Sequence, residues 1–123
     1  MNQKSILIIA AISGAIAVGI GAFGAHGLKG MLAANGRLDV FETAVRYHFY
    51  HTLALLATGI LIAQFPGLRV SAWLFLIGIL IFSGSLYTLA LTNHSRWGAV
   101  TPLGGLALIA GWLMFGWTIF RAK

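Results

Sequence analysis

Four intervals free of Asp, Glu, Lys and Arg, at residues 5–28, 47–68, 70–95 and 97–120, make up most of this chain. Each is at least as long as the roughly 20 residues a helix needs to cross the hydrocarbon of a bilayer. Inside hydrocarbon the backbone must satisfy its own N–H and C=O groups, and a continuous apolar run does so as a helix. Composition agrees: 59% of residues are hydrophobic, 8% are charged and the mean hydropathy is +0.93, whereas about a quarter of a soluble domain is charged. The pattern predicts an all-α integral membrane four-helix bundle, up-down-up-down, with both termini on the same side. It forms one domain over residues 1–123, with helices at about 5–26, 40–65, 70–92 and 101–120.

The rest of the composition excludes more than it selects. With no cysteine, disulfides, thiolate metal sites and redox thiols are ruled out. The net charge of +6 comes from basic residues scattered singly, whereas nucleic-acid binders cluster them on one face. Lys and Arg at the ends of apolar runs read instead as interface anchors. Lys4 followed by an apolar run resembles a signal peptide, but the run continues to Phe23 and further hydrophobic spans follow. It is read as the first membrane helix.

Small residues show how the helices should meet. Ala10, Gly14, Ala17, Gly21 and Gly24 form one stripe of the first helix, opposite Ile9, Ile12, Ile16, Ile20 and Phe23. Membrane helices approach through such stripes, so the stripe should face the bundle and the isoleucines lipid. Ser71, Gly78, Ser85 and Thr92 recur every seven residues, a packing seam. Gly104, Ala107 and Gly111 repeat the small pattern in the last helix, whose first turn accommodates Pro102. Residues 27–38 form a connector with a stop at Asn35-Gly36. Asp39, with Glu42 three residues on, resembles a capping box for the second helix. Pro66-Gly67 should end that helix and turn the chain back. Basic residues at the two membrane faces tie in number. Because Arg46 belongs to a helix rather than a loop, the positive-inside rule tips the termini inward.

This topology brings chemistry to one side. Both acids of the chain lie within residues 39–51, as do two of its four histidines and two of its three tyrosines. If the helix ends stack as predicted, His26, Glu42, Arg46, Tyr47, His48, Tyr50 and His51 share one half of the bundle. Ser83, Ser85, Tyr87, Thr88, Thr92, His94 and Thr101 join them. At about 100° per residue, Glu42, Arg46 and Tyr50 form one row, and Thr43, Tyr47 and His51 the next, with Thr58 deeper. Phe41, Val45, Phe49 and Thr52 fall on a mostly apolar side. His48 projects away from the Tyr47/His51 row and, like His94 in its loop, is expected at the interface. Ionisable groups within a span are functional candidates by default. The candidates for a ligand or polar pocket are therefore His26, Glu42, Arg46, Tyr47, His51, Ser85, Thr88 and Thr101. His51, a turn or two inside, should bond to the first or third helix, or bind a ligand. His26 should cap its helix or bond nearby carbonyls. Glu42 and Arg46 form an i,i+4 pair, and Arg46 could also hold a lipid phosphate.

Enzyme signatures are thin. GAFGAHG lacks the strand before it and the Lys-Ser/Thr after it that a phosphate-binding loop requires. Ser83 and Ser85 in FSGSLY lie mid-helix, not on a strand-to-helix elbow. His48 and His51 lack the further ligand a metal site needs, and nothing in the sequence marks a bis-histidine haem between His26 and His51. No catalytic residue, metal or cofactor is assigned.

Four blocks together carry a resemblance: GAFGAHGL at 21–28, FETAVRYHFYHTLALL at 41–56, LIFSGSLYTLALT at 80–92 and TPLGGLALIAGW at 101–112. They resemble the YgdD/YwdK-type family of small bacterial membrane proteins, a domain-of-unknown-function family with a related small transmembrane protein in eukaryotes. The resemblance implies four transmembrane helices in a bacterial inner (cell) membrane. It implies motif positions at Gly24, His26, Glu42, Tyr47, His51, Ser83, Ser85, Tyr87, Thr101 and Pro102, and the family has no established activity to carry over.

The residues are thus expected to build a non-enzymatic membrane protein with a one-sided polar pocket or surface. Residues 39–51 would form one wall, facing His26, Ser85, Thr88 and Thr101. Its partners would be membrane lipids, a second copy of the chain or another membrane protein, and not nucleic acid. The alternative is a small-solute or proton-coupled transporter, or an oligomeric channel, using His51, Glu42 and Arg46. Against it, the polar residues stop halfway through the bundle.

Overall fold

The computed structural model describes all 123 residues and is helical, with no strands. Its elements are α1 (Gln3–Ala25), the short α2 (Lys29–Ala34), α3 (Leu38–Leu61), α4 (Arg69–Gly78), α5 (Gly84–Thr92) and α6 (Thr101–Arg121). A π-helical turn, Ile79–Ser83, joins α4 to α5, so they continue as one rod from Pro66 to Thr92. Three helices are long and apolar enough to cross a membrane: Gln3–Ala25, Pro66–Thr92 and Ser95–Arg121. The second predicted span is different. α3 has 24 residues, but Asp39, Glu42, Arg46 and the His and Tyr residues lower its apolarity.

That most polar long helix is also more enclosed than α1 or α6. Nine residues of α3 are buried, against four of α1 and three of α6. α1 lies antiparallel along one side of it, with Gly59 near Ile6 and Leu7, Gly14 near Thr52, and Gly21 near Val45. The α4–α5 rod covers the other side, with Phe75 against His51, Phe82 against Tyr47 and Tyr87 against Phe41. α6 runs antiparallel to that rod, matching Gly104 to Phe82, Leu108 to Gly78 and Gly111 to Phe75. The small stripe of α1 thus faces the bundle as expected, and that of α6 faces the α4–α5 rod.

Two glycines make these approaches possible. A Cβ on Gly24 would collide with the ring of Phe41. One on Gly104 would meet the Phe82 backbone, 2.7 Å from its Cα, where no side-chain rotation could relieve the contact. Dispersion between close helices replaces the hydrophobic drive that lipid does not supply.

The entry to α3 corrects the capping expectation. The helix starts at Leu38 after Arg37, with no side-chain cap. Asp39 lies inside the first turn, where its carboxylate complements the helix dipole. Tertiary contacts set this start: Arg37 Nε donates to Asn93 Oδ1 (2.8 Å) and Nη2 to Ser95 Oγ (2.7 Å). Gly36, at φ +67°, turns the chain from α2 into that latch. At the other end α3 stops at Leu61, before the predicted residue 65. His51 lies just past the middle of the helix.

Two apolar cores result. The larger one centres on Ile6, Leu55, Leu68, Phe75 and Leu108, and the smaller one on Leu32, Phe41 and Ala90. Between Phe41 of the smaller core and Ala54 of the larger, α3 carries the buried His48, His51 and Thr52, while the buried Thr58 further along bonds back to the Ala54 carbonyl.

Candidate functional site

Two histidines three residues apart on α3 point to different neighbours. His48 is 5% exposed and sits between α1 and α5. Its Nε2 lies 3.0 Å from Ser13 Oγ, and its Nδ1 lies 2.8 Å from the Tyr87 hydroxyl. Ser13 Oγ lies 2.6 Å from Thr52 Oγ1. Thr52, Ser13, His48 and Tyr87 thus form one hydrogen-bonded chain across three helices. Every hydroxyl in it can donate or accept, so the chain can be polarised in either direction.

His51, 7% exposed, belongs to the adjacent face. Its Nδ1 lies 2.7 Å from the Tyr47 carbonyl oxygen, and the Trp112 indole donates to its Nε2 at 3.1 Å. A carbonyl only accepts and an indole N–H only donates. Nδ1 therefore carries the hydrogen and Nε2 the lone pair: the imidazole is neutral and in one tautomer. Tyr47, Phe75 and Trp112 enclose the ring with centroids about 6 Å away.

A lateral cleft opens beside His48, because α1 packs on α3 without closing on the α4–α5 rod. Its volume is about 350 Å³. Isoleucines of α1, including Ile12 and Ile16, form one wall. Leu76, Ile79, Leu80 and Gly84 form the other, and Ser13, His48 and Tyr87 contribute the polar groups. The π turn shapes this wall and directs Ser83 Oγ onto the Ala44 carbonyl at 2.8 Å. π-Helical turns often occur at functional sites.

The structure separates the predicted site residues. Tyr47 and His51 stay together, as do Ser85 and Thr101, whose hydroxyl oxygens are 2.6 Å apart. Thr88 bonds back to the Gly84 carbonyl of its own helix rather than across to α3. His26 follows the end of α1 and is exposed, and its backbone N–H donates to the Ala22 and Phe23 carbonyls. Glu42 and Arg46 pair with each other at 3.7 Å, half or more exposed. They border a separate groove near Lys29 and Gly24. His51, Glu42 and Arg46, the residues of the transporter alternative, are therefore not convergent.

Three expectations change. His48 is buried rather than interfacial. Thr52, assigned to an apolar side, is bonded to Ser13. His51 bonds to the last helix, through Trp112, rather than to the first or third. Ser13, Trp112 and Arg37 were missed as polar partners. The only signal in the sequence was a hydroxyl in the small-residue helix and an indole at mid-span in the last.

The profile of a family described as "Protein of unknown function (DUF423)" matches residues 20–105. The UPF0382 membrane protein YwdK of Bacillus subtilis is 46% identical over 115 residues, covering 91% of this chain and 93% of its own. The UPF0382 membrane protein SSP2132 of Staphylococcus saprophyticus is 50% identical over 114 residues, covering 91% and 93%. The UPF0382 inner membrane protein YgdD of Escherichia coli K12 is 39% identical over 120 residues, covering 93% and 88%. No solved structure matches the chain.

Proposed function

This chain belongs to the DUF423 family, a multi-pass protein of the bacterial inner (cell) membrane, and on that premise we propose that it is a non-catalytic lipid-binding bundle. α3 is the fourth span in this reading, giving an up-down-up-down bundle with both termini on one side. Its buried polar groups, His48, His51 and Thr52, are tolerated because α1, the α4–α5 rod and Trp112 of α6 shield them from hydrocarbon, where an exposed polar group would be costly.

One observation carries the reading: the cleft of about 350 Å³ between α1 and the α4–α5 rod. It lies within the spanning segments and is lined chiefly by apolar side chains, so it is open to lipid from the side. A bilayer chain entering it would gain dispersion contacts with both walls. The polar groups beneath are bonded to one another, as suits a floor more than a water path.

The test is competition in nanodiscs. A phospholipid spin-labelled on its acyl chain should broaden the methyl NMR signals of Ile16 and Leu80 more than those of Leu103 and Leu113 on α6. Ile16→Trp, which fills the cleft, should remove that preference without changing the fold. Equal broadening at all four positions would refute lateral lipid binding.

A further inference from the structure

We propose that the cleft beside His48 takes an uncharged, bilayer-dissolved molecule that presents a carbonyl or a hydroxyl to Tyr87, the chemistry of a quinone and its quinol. This rests on the lateral-lipid reading above and names the kind of molecule the cleft selects.

Depth is the first observation. Ser13 lies near the middle of α1 (Gln3–Ala25) and His48 near the middle of α3 (Leu38–Leu61). At 1.5 Å per residue, both are roughly 15 Å from the helix ends. Phospholipid ester groups sit at the edges of the hydrocarbon, so they do not meet a polar floor at this depth. A ring carbonyl dissolved in the bilayer does.

Unused bonding capacity is the second. Ser13 Oγ has two side-chain partners, His48 and Thr52, and the Tyr87 hydroxyl has one, His48. A phenol offers one hydrogen and acceptor lone pairs. If Tyr87 donates to His48 Nδ1, its oxygen remains free to accept from a ligand hydroxyl. If His48 Nδ1–H donates to Tyr87, the phenolic hydrogen remains free to donate to a ligand carbonyl. The amphoteric Ser13 on Nε2 permits either tautomer. One site therefore serves a ligand that exists in both carbonyl and hydroxyl forms.

Room is the third. Gly84 lines the cleft, and a Cβ there would meet nothing within 4 Å. The volume of about 350 Å³ suits a substituted ring with the start of a tail.

The experiment uses the full chain in nanodiscs with decylubiquinone, decylubiquinol and decylbenzene, a probe with the tail but no oxygen. Binding is read by saturation-transfer NMR and by the ring ¹⁵N shifts of His48. The quinone and the quinol should both bind saturably and move His48 toward opposite tautomers. Tyr87→Phe should weaken both by up to about tenfold, the worth of one hydrogen bond, and Ile16→Trp should abolish binding. A circular-dichroism melt checks that both variants fold. Were decylbenzene to bind as well as the quinone, or Tyr87→Phe to bind like wild type, the oxygen-specific proposal would fail while lateral lipid binding stood. If Ile16→Trp changed nothing for any probe, both would fail. Matching weakening by Tyr87→Phe and by the drop from quinone to decylbenzene would establish it.

Discussion

His48 and His51 occupy adjacent faces of one helix, are nearly equally buried, and are held in opposite ways. His51 has one-way partners, the Tyr47 carbonyl and the Trp112 indole, so a single proton arrangement satisfies it. His48 has two-way partners, Ser13 and Tyr87, so two arrangements do. Burial therefore does not distinguish the two rings here. The chemistry of the partners does: one-way partners lock a ring, and amphoteric partners leave it able to respond to a ligand. The surroundings follow the same division. His51 is enclosed by three aromatic rings, whereas His48 borders an open cleft.

The strongest way to break this comparison is to move α6, which supplies the lock. Gly104 lies against the Phe82 backbone, so Gly104→Val must push the helices apart. Overpacking of this kind costs about 1–3 kcal/mol or more. We expect the largest loss of thermal stability in detergent, together with a His51 ring ¹⁵N spectrum that no longer shows one tautomer. A Gly104→Val protein with wild-type melting and an unchanged His51 spectrum would show that α6 does not hold that ring.

Truncating each histidine should rank next. His51→Ala removes a packed ring and leaves the Trp112 N–H without its partner, a combination worth about 2–4 kcal/mol. His48→Ala leaves Ser13 and Thr52 bonded to each other and faces a space already open, so we expect roughly half that loss. Melting midpoints of the two variants in the same micelle check the order. The reverse order would place the structural role on His48.

Trp112→Phe sharpens the comparison with a smaller change. It keeps an aromatic ring near Phe75 but removes the only donor to His51 Nε2, costing about 1 kcal/mol. The ring ¹⁵N spectrum should then show His51 sampling both tautomers, with the His48 signals unchanged. A His51 that stays in one tautomer would mean the Tyr47 carbonyl suffices alone.

How much of this was visible in the sequence depended on the range of the interaction. The charge-free intervals and the stripes at Ala10, Ala17 and Gly24 or Gly104 and Gly111 are periodic along one helix, and the close contacts occur at those positions. The start of α3 was misread because Asp39-Val40-Phe41-Glu42 has the local form of a capping box, while Arg37 fixes the start through Asn93 and Ser95, more than fifty residues away. The polar partners failed for the same reason. A helical wheel gives the angle between His48 and His51 but not which neighbour each angle meets. Thr52 looked apolar by company, since its partner Ser13 lies on another helix.

The smallest expected effect concerns the residues that looked most chemical in the sequence. Glu42 and Arg46 are 3.7 Å apart with half or more of each side chain exposed, and such pairs contribute a few tenths of a kcal/mol at most. They belong to neither histidine's network, and the groove they border lies on the other side of α1 from the cleft. Arg46→Ala and Glu42→Gln should therefore shift the melting midpoint by no more than a degree or two, and leave the His48 and His51 spectra as they are. Native mass spectrometry adds a separate readout. Arg46→Ala should reduce retention of anionic phospholipid if its guanidinium holds a headgroup phosphate, while decylubiquinone binding stays at the wild-type level. Loss of quinone binding in Arg46→Ala would join the surface pair to the cleft. The division of α3 into a locked face and a responsive face would then have to extend to its charged first turns.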